Sequence, residues 1–117
     1  MHELSLCQTL IDHVEKEVER AGQKGRVVIV EVVVGRFSGV HPDSLRFAFE
    51  LLTADTILEG AEMNVAEPKA TCCCRGCNAR VEIDEMPVEC PECRGNDITI
   101  EGGRELLLQS IEIEDQS

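Results

Sequence analysis

From Leu4 to Ala21 the apolar residues Leu4, Cys7, Leu10, Ile11, Val14, Val18 and Ala21 recur at steps of mostly three and four, with Asp12, Glu15, Lys16, Glu19 and Arg20 between them. One apolar stripe at a period near 3.6 predicts an amphipathic helix. Gly22, followed by Gly25, predicts its stop and a short turn. Val27 to Val34 is almost wholly β-branched and predicts a strand, with Val28, Val30, Val32 and Val34 on one face. The other face, Val27, Ile29, Glu31 and Val33, is expected to be the wetter. After a loop from Gly35 to His41, Pro42 suits the first position of a helix, where no N–H is needed, and Asp43 complements the helix dipole. This second helix is expected to run to about Thr53 and to bury Leu45, Ala48, Phe49 and Leu52. Phe47 and Leu51 are expected to widen that stripe, and Arg46 to pair with Glu50 on the outer side. Glu62 to Glu67 alternates around Met63 and Val65 and reads as a second strand, stopped by Pro68. Glu105 to Glu114 reads as a closing strand with Leu107, Ile111 and Ile113 on one face.

Between these strands the composition changes. Lys69 to about Gly103 holds six of the seven Cys and only Val81, Ile83, Met86, Val88, Ile98 and Ile100 as larger apolar residues, too few for a separate core. The expectation is therefore an α+β fold, a small three-stranded sheet with two helices built from residues 1–68 and 104–117, carrying an insertion at 69–103.

At 117 residues the chain has room for one domain with such an insertion. The 23 Asp and Glu against 11 Lys and Arg give a formal charge of −12, which repels phosphate backbones, and three Phe without Trp or Tyr offer no base-stacking platform. Both observations argue against a nucleic-acid partner. No apolar run reaches the roughly 18 residues a membrane span requires. Met1-His2-Glu3-Leu4 carries no basic n-region, so no secretory signal is read there and a reducing cytoplasm is the expected compartment. In that setting clustered cysteines favour metal ligation over disulfides.

Cys74-Arg75-Gly76-Cys77 and Cys90-Pro91-Glu92-Cys93 are two C-x-x-C pairs with twelve residues between them, the spacing by which two tight turns present four sulfurs tetrahedrally. Four thiolates close the coordination sphere of zinc, so the site is read as structural and the insertion as a zinc ribbon that the metal folds. A rubredoxin-like iron centre uses similar pairs, and softness alone does not separate the two metals. Cys73 with Cys77 would give a wider pair that zinc also tolerates; Cys72 and Cys73 are read as bystanders. Cys7 lies on the buried helix stripe as a small hydrophobe.

The large side chain of His2 is expected to protect Met1 from removal, leaving a free Met1 amine with an ordinary pKa of about 7.7 to 8.0. That amine, the backbone nitrogens of His2 and Glu3 and one His2 ring nitrogen can close chelate rings around one ion. Square-planar nitrogen donors suit nickel or copper(II). Read from the residues alone, a bare start and a solvated His2 account for the same segment more simply.

Met1-His2-Glu3-Leu4-Ser5, the strand ending at Gly35, the segment Val40-His41-Pro42-Asp43-Ser44-Leu45-Arg46-Phe47-Ala48-Phe49, the paired C-x-x-C motifs and the closing strand together resemble the HypA/HybF family over nearly the whole chain. The resemblance implies a nickel metallochaperone for maturation of nickel-iron hydrogenase, and in some organisms of urease, that is not an enzyme. Its implied partners are a nickel-handling GTPase and the hydrogenase large subunit. Carried over by position, it puts transported nickel on Met1, His2 and Glu3 and structural zinc on Cys74, Cys77, Cys90 and Cys93, with Cys72 and Cys73 departing from the usual pattern. No phosphate-binding G-x-x-x-x-G-K-[ST] loop occurs, so nucleotide hydrolysis falls to a partner. His13 and His41 read as solvated. A zinc-ribbon docking module with no second metal and a rubredoxin-like electron carrier are the alternative functions.

Overall fold

The structure, a computed structural model, describes residues 2–22 and 25–115. Helix α1 spans His2–Arg20. Its steps of four, three and four residues align Cys7, Ile11, Val14 and Val18 on one buried face, as the periodicity requires. The helix ends where Ala21 and Gly22 donate their N–H groups back to Glu17 and Glu19, with Gly22 at φ +68°, a left-handed conformation costly to any residue with a Cβ.

Strand β1, Gly25–Val34, starts earlier than its β-branched run. Val30, Val32 and Val34 are buried and Glu31 is exposed; Val27 is also buried, from the opposite face. Helix α2, Pro42–Leu52, buries Leu45, Ala48 and Phe49 and packs on α1. Three expectations for α2 fail: Leu52, at the helix end, is only half-buried. Phe47 and Leu51 are 63% and 57% exposed, because at about 100° per residue they lie roughly 200° and 240° round the axis from Leu45, away from the buried stripe. Arg46 pairs with Asp43 at 3.3 Å, one turn toward the helix start, and not with Glu50.

Strand β2 is Glu62–Ala66 and the closing strand, here β6, is Leu106–Asp115; the sheet order is β2-β1-β6. As an edge strand β6 is covered incompletely: Leu106 and Leu107 are exposed, and Ile111 and Ile113 are half-buried. The face expected from Leu107 is thus open at that residue. The expected α+β fold, two helices with a small three-stranded sheet, is what forms.

The cysteine-rich stretch builds a second sheet from β3 (Ala70–Cys74), β4 (Arg80–Ile83) and β5 (Ile98–Glu101), in the order β4-β3-β5 and antiparallel throughout. It has a small core after all. Ala70, Cys72 and Ile83 are buried, with Phe37, Ile98 and Ile100 packed against them. The scattered apolar residues suffice because Cys72 serves as a hydrophobe and because Phe37 comes from outside the stretch.

The described residues fall into two compact units. One takes those up to Val32, Val40–Val65 and those from Leu107 on; the other takes Val33–Gly39 and Ala66–Leu106. The segment after β1 joins the second unit through its main chain, Gly35 N–H donating to Glu105 and Phe37 N–H to Gly103. The backbones approach so closely that a Cβ on Gly35 would collide with the Gly103 carbonyl. Arg36 adds an ion pair to Asp84 at 3.2 Å. Among the described residues no helix is long and apolar enough to cross a membrane.

Candidate metal centre

Two turns of the second unit carry the four cysteines of the paired motifs. Cys74 is the last residue of β3, and Cys77 follows in the turn toward β4; Cys90 and Cys93 occupy the turn that leads to β5. The turns are built alike. In the first, Cys74 N–H donates to the Ala79 carbonyl at 3.0 Å; in the second, Cys90 N–H donates to Gly95 at 2.7 Å. The residue after each second cysteine has a left-handed backbone, Asn78 at φ 61° and Arg94 at φ 63°. Asn tolerates this region and Arg does so at roughly 1 kcal/mol, so the turn geometry overrides local preference at Arg94. A bond from Arg75 N–H to the Asp97 carbonyl, 3.0 Å, ties the first turn to the chain entering β5.

The result is one sulfur cluster. The four Sγ atoms lie within 4.8 Å of one another, with Cys74 to Cys93 at 3.6 Å and Cys77 to Cys90 at 3.7 Å. Zinc–sulfur bonds of about 2.3 Å in a tetrahedron require sulfur–sulfur edges of about 3.8 Å, so the cluster has the size zinc needs. Among the described residues it is the one group of three or more His, Cys, Asp or Glu so placed.

Cys72 and Cys73 stand apart because β3 alternates. Cys72 faces the core, Cys74 lies on the same face at the cluster, and Cys73 points the other way, where Arg80 donates to its sulfur at 3.3 Å. The sequence offers no signal for the Arg80 contact without the β3–β4 register, which sets Cys73 opposite Arg80.

Main-chain amides donate toward the sulfurs of Cys77, Cys90 and Cys93, and at Cys90 their effect prevails. The Cys90 thiol is pulled down to about 7, first by the Cys93 amide and then by the Glu92 amide, against the opposing effect of burial. The Cys77 thiol goes the other way, to about 12: the Ala79 amide lowers it, but burial and hydrogen bonds with the other three thiols together outweigh that donor. Gly95 N–H donates to Cys93, whose thiol is nonetheless raised by its neighbours. Four thiolates this close need a cation among them, and a divalent metal is the group that relieves the repulsion.

The N-terminal candidates fall partly outside the described residues, which do not include Met1. His2 enters as the first residue of α1, and Glu3 is half-buried in the first turn. Near Glu3, a groove of about 440 Å³ is lined by Leu4, Asp43, Ser44, Phe47, Ala48 and Leu51. His13 is exposed on the outer face of α1. His41 occupies the N-cap position of α2, extended at φ −92° and ψ 118°, exposed and without a side-chain capping bond.

Residues 1–113 match the family described as hydrogenase/urease nickel incorporation, metallochaperone, hypA. The chain is 38% identical over 115 residues to hydrogenase maturation factor HypA of Chlorobium limicola, covering 98% of each chain. It is 40% identical over 116 residues to HypA of Streptomyces avermitilis, covering 98% of this chain and 88% of that one. Hydrogenase maturation factor HybF of Escherichia coli K12 is 33% identical over 114 residues, 97% of this chain and all of that one. The solution structure of the Ni metallochaperone HypA from Helicobacter pylori has the same fold, with a TM-score of 0.64 over 97% of this chain and 98% of that one at 21% identity. The family match over residues 1–113, relatives 33–40% identical along nearly the whole chain and the shared fold lead to one conclusion: the chain belongs to the HypA/HybF family of nickel-incorporation metallochaperones of hydrogenase maturation.

Proposed function

We propose that the chain binds nickel at its N-terminus and delivers it during maturation of nickel-iron hydrogenase, while zinc held by Cys74, Cys77, Cys90 and Cys93 gives the second unit its shape. The observation that carries this reading is the family match across residues 1–113, which takes in Met1-His2-Glu3 and the four-sulfur cluster together. The Met1 amine, the His2 ring and the backbone nitrogens of His2 and Glu3 are the nickel donors, with Glu3 offsetting the positive end of the helix dipole. The start of α1 at His2 supports this, because a helix's first main-chain N–H has no acceptor four residues back.

Nickel here is cargo and zinc is structure. Four thiolates leave zinc no open position, so it supplies folding energy and no Lewis-acid chemistry to a substrate. The partners in this reading are a nickel-handling GTPase and the hydrogenase large subunit. The groove between Leu4, Phe47 and Leu51 is an apolar seat for the GTPase beside the nickel donors.

Genetic complementation tests the whole reading. In a strain lacking this chain, the wild-type sequence restores hydrogenase activity and His2→Ala does not, although both proteins accumulate and hold zinc. Full restoration by His2→Ala would leave the zinc-ribbon docking module as the better account.

A further inference from the structure

We propose that the loop between Ile83 and Cys90 is a docking tip, with Met86 and Val88 as its anchors, for an apolar cleft rimmed by Lys and Arg on the hydrogenase large-subunit precursor. Val88 is 90% exposed and Met86 49% exposed, on either side of Pro87. One exposed apolar residue is unremarkable on a protein surface. Two on a short loop held at both ends are a prepared contact. Asp84 at the loop's base pairs with Arg36 at 3.2 Å and Lys69 at 3.7 Å, and Cys90 at its other end belongs to the sulfur cluster. A tip so anchored loses little conformational freedom on binding.

Charge selects the occupant. From Val81 to Cys93 the chain has Glu82, Asp84, Glu85, Glu89 and Glu92 and no Lys or Arg. Glu85 and Glu89 flank the apolar pair and are exposed. Such a rim repels nucleic acid, anionic lipid and a second copy of this chain, whose own charge is −12. It fits a protein face of opposite charge, apolar at the centre and basic at the edge. The choice of precursor rests on the function proposed above. A chain that receives and delivers cargo must meet two proteins, and the tip shares no residue with the groove assigned to the GTPase.

The test measures binding of the zinc-loaded full chain to purified large-subunit precursor by biolayer interferometry. Met86→Ser with Val88→Ser should weaken binding about tenfold or more, at about 50 mM and about 500 mM salt alike. Glu85→Lys with Glu89→Lys should weaken it at low salt and approach wild type at high salt, as a screened rim contact does. Zinc content, nickel affinity and GTPase binding should stay unchanged in both variants. The proposal is overturned by a precursor that fails to bind the wild-type chain, by variants that bind within about twofold of it, or by a loss confined to GTPase binding or self-association. Failure of nickel binding with an intact effect of the tip variants would reject the cargo site and leave the tip.

Discussion

Arg80 meets Cys73 on the face of β3 away from the sulfur cluster: its Nη1 donates to the Cys73 sulfur at 3.3 Å, while its Nη2 bonds Glu101 at 2.8 Å. Three consecutive cysteines therefore have three environments. Cys72 is packed in the core, Cys73 lies on the outer face under a guanidinium, and Cys74 is in the sulfur cluster.

That separation predicts which cysteine matters to the metal. Cys73→Ser should keep about one zinc per chain, whereas Cys74→Ser or Cys90→Ser should lose most of it. Loss of zinc should open the second unit to protease while α1 and β1 stay protected, because their buried core contains no cluster residue. Elemental analysis and limited proteolysis of the three variants check this. The zinc form is colourless, so red protein would instead indicate iron.

Cys7 predicts a pH dependence of stability. Burial raises its thiol from 9.0 to about 11. Between those values the unfolded chain has lost the proton and the folded chain keeps it, so stability falls as pH rises. The contribution is whole below pH 9 and lost by about 11, a drop of about 3 kcal/mol. Urea denaturation at several pH values should show this slope in wild type and a flatter one in Cys7→Ala. Iodoacetamide should leave Cys7 unmodified in native protein at pH 8, since the thiolate is the nucleophile.

The two sides of α2 predict opposite mutational outcomes. Phe49→Ala should cost about 3–5 kcal/mol through the cavity it leaves in the core. Phe47→Ser and Leu51→Ser should each change stability by no more than about 0.5 kcal/mol, because both side chains already face solvent. Together they should weaken the GTPase complex about tenfold, measured by titration calorimetry, with nickel and zinc binding unchanged. His2→Ala should have the converse effect, slowing metal transfer more than it weakens the complex.

Nickel binding should depend on the amine. A Gly-Ser extension before Met1 converts that amine to an amide and should lower nickel affinity about a hundredfold or more, with every side chain in place. His2→Ala should act similarly, and His41→Ala should have little effect. Protons compete for the same donors, so affinity should fall as pH drops through about 7.7 and then 6.5. Calorimetry on untagged protein at two pH values reads each comparison, and an extended chain that binds as tightly as the native one would remove the amine from the site.

Local patterns carried much of this protein. The steps Cys7, Ile11, Val14 and Val18 fix one buried face of a helix whatever surrounds it, and nine β-branched or charged residues from Arg26 leave little choice but a strand. The two C-x-x-C pairs are local too, since the positions of the donors to sulfur, such as the amides of Glu92 and Cys93, follow from turn geometry. Long-range packing decided the rest. Register between β3 and its neighbours determined that Cys72 is core, Cys73 is Arg80's partner and Cys74 belongs to the cluster, and register is not written in any one segment. The core of the second unit was illegible because Phe37, distant in sequence, completes it. Phe47 and Leu51 were misjudged because hydrophobicity says that a side chain prefers burial, whereas only the tertiary structure says whether anything covers it.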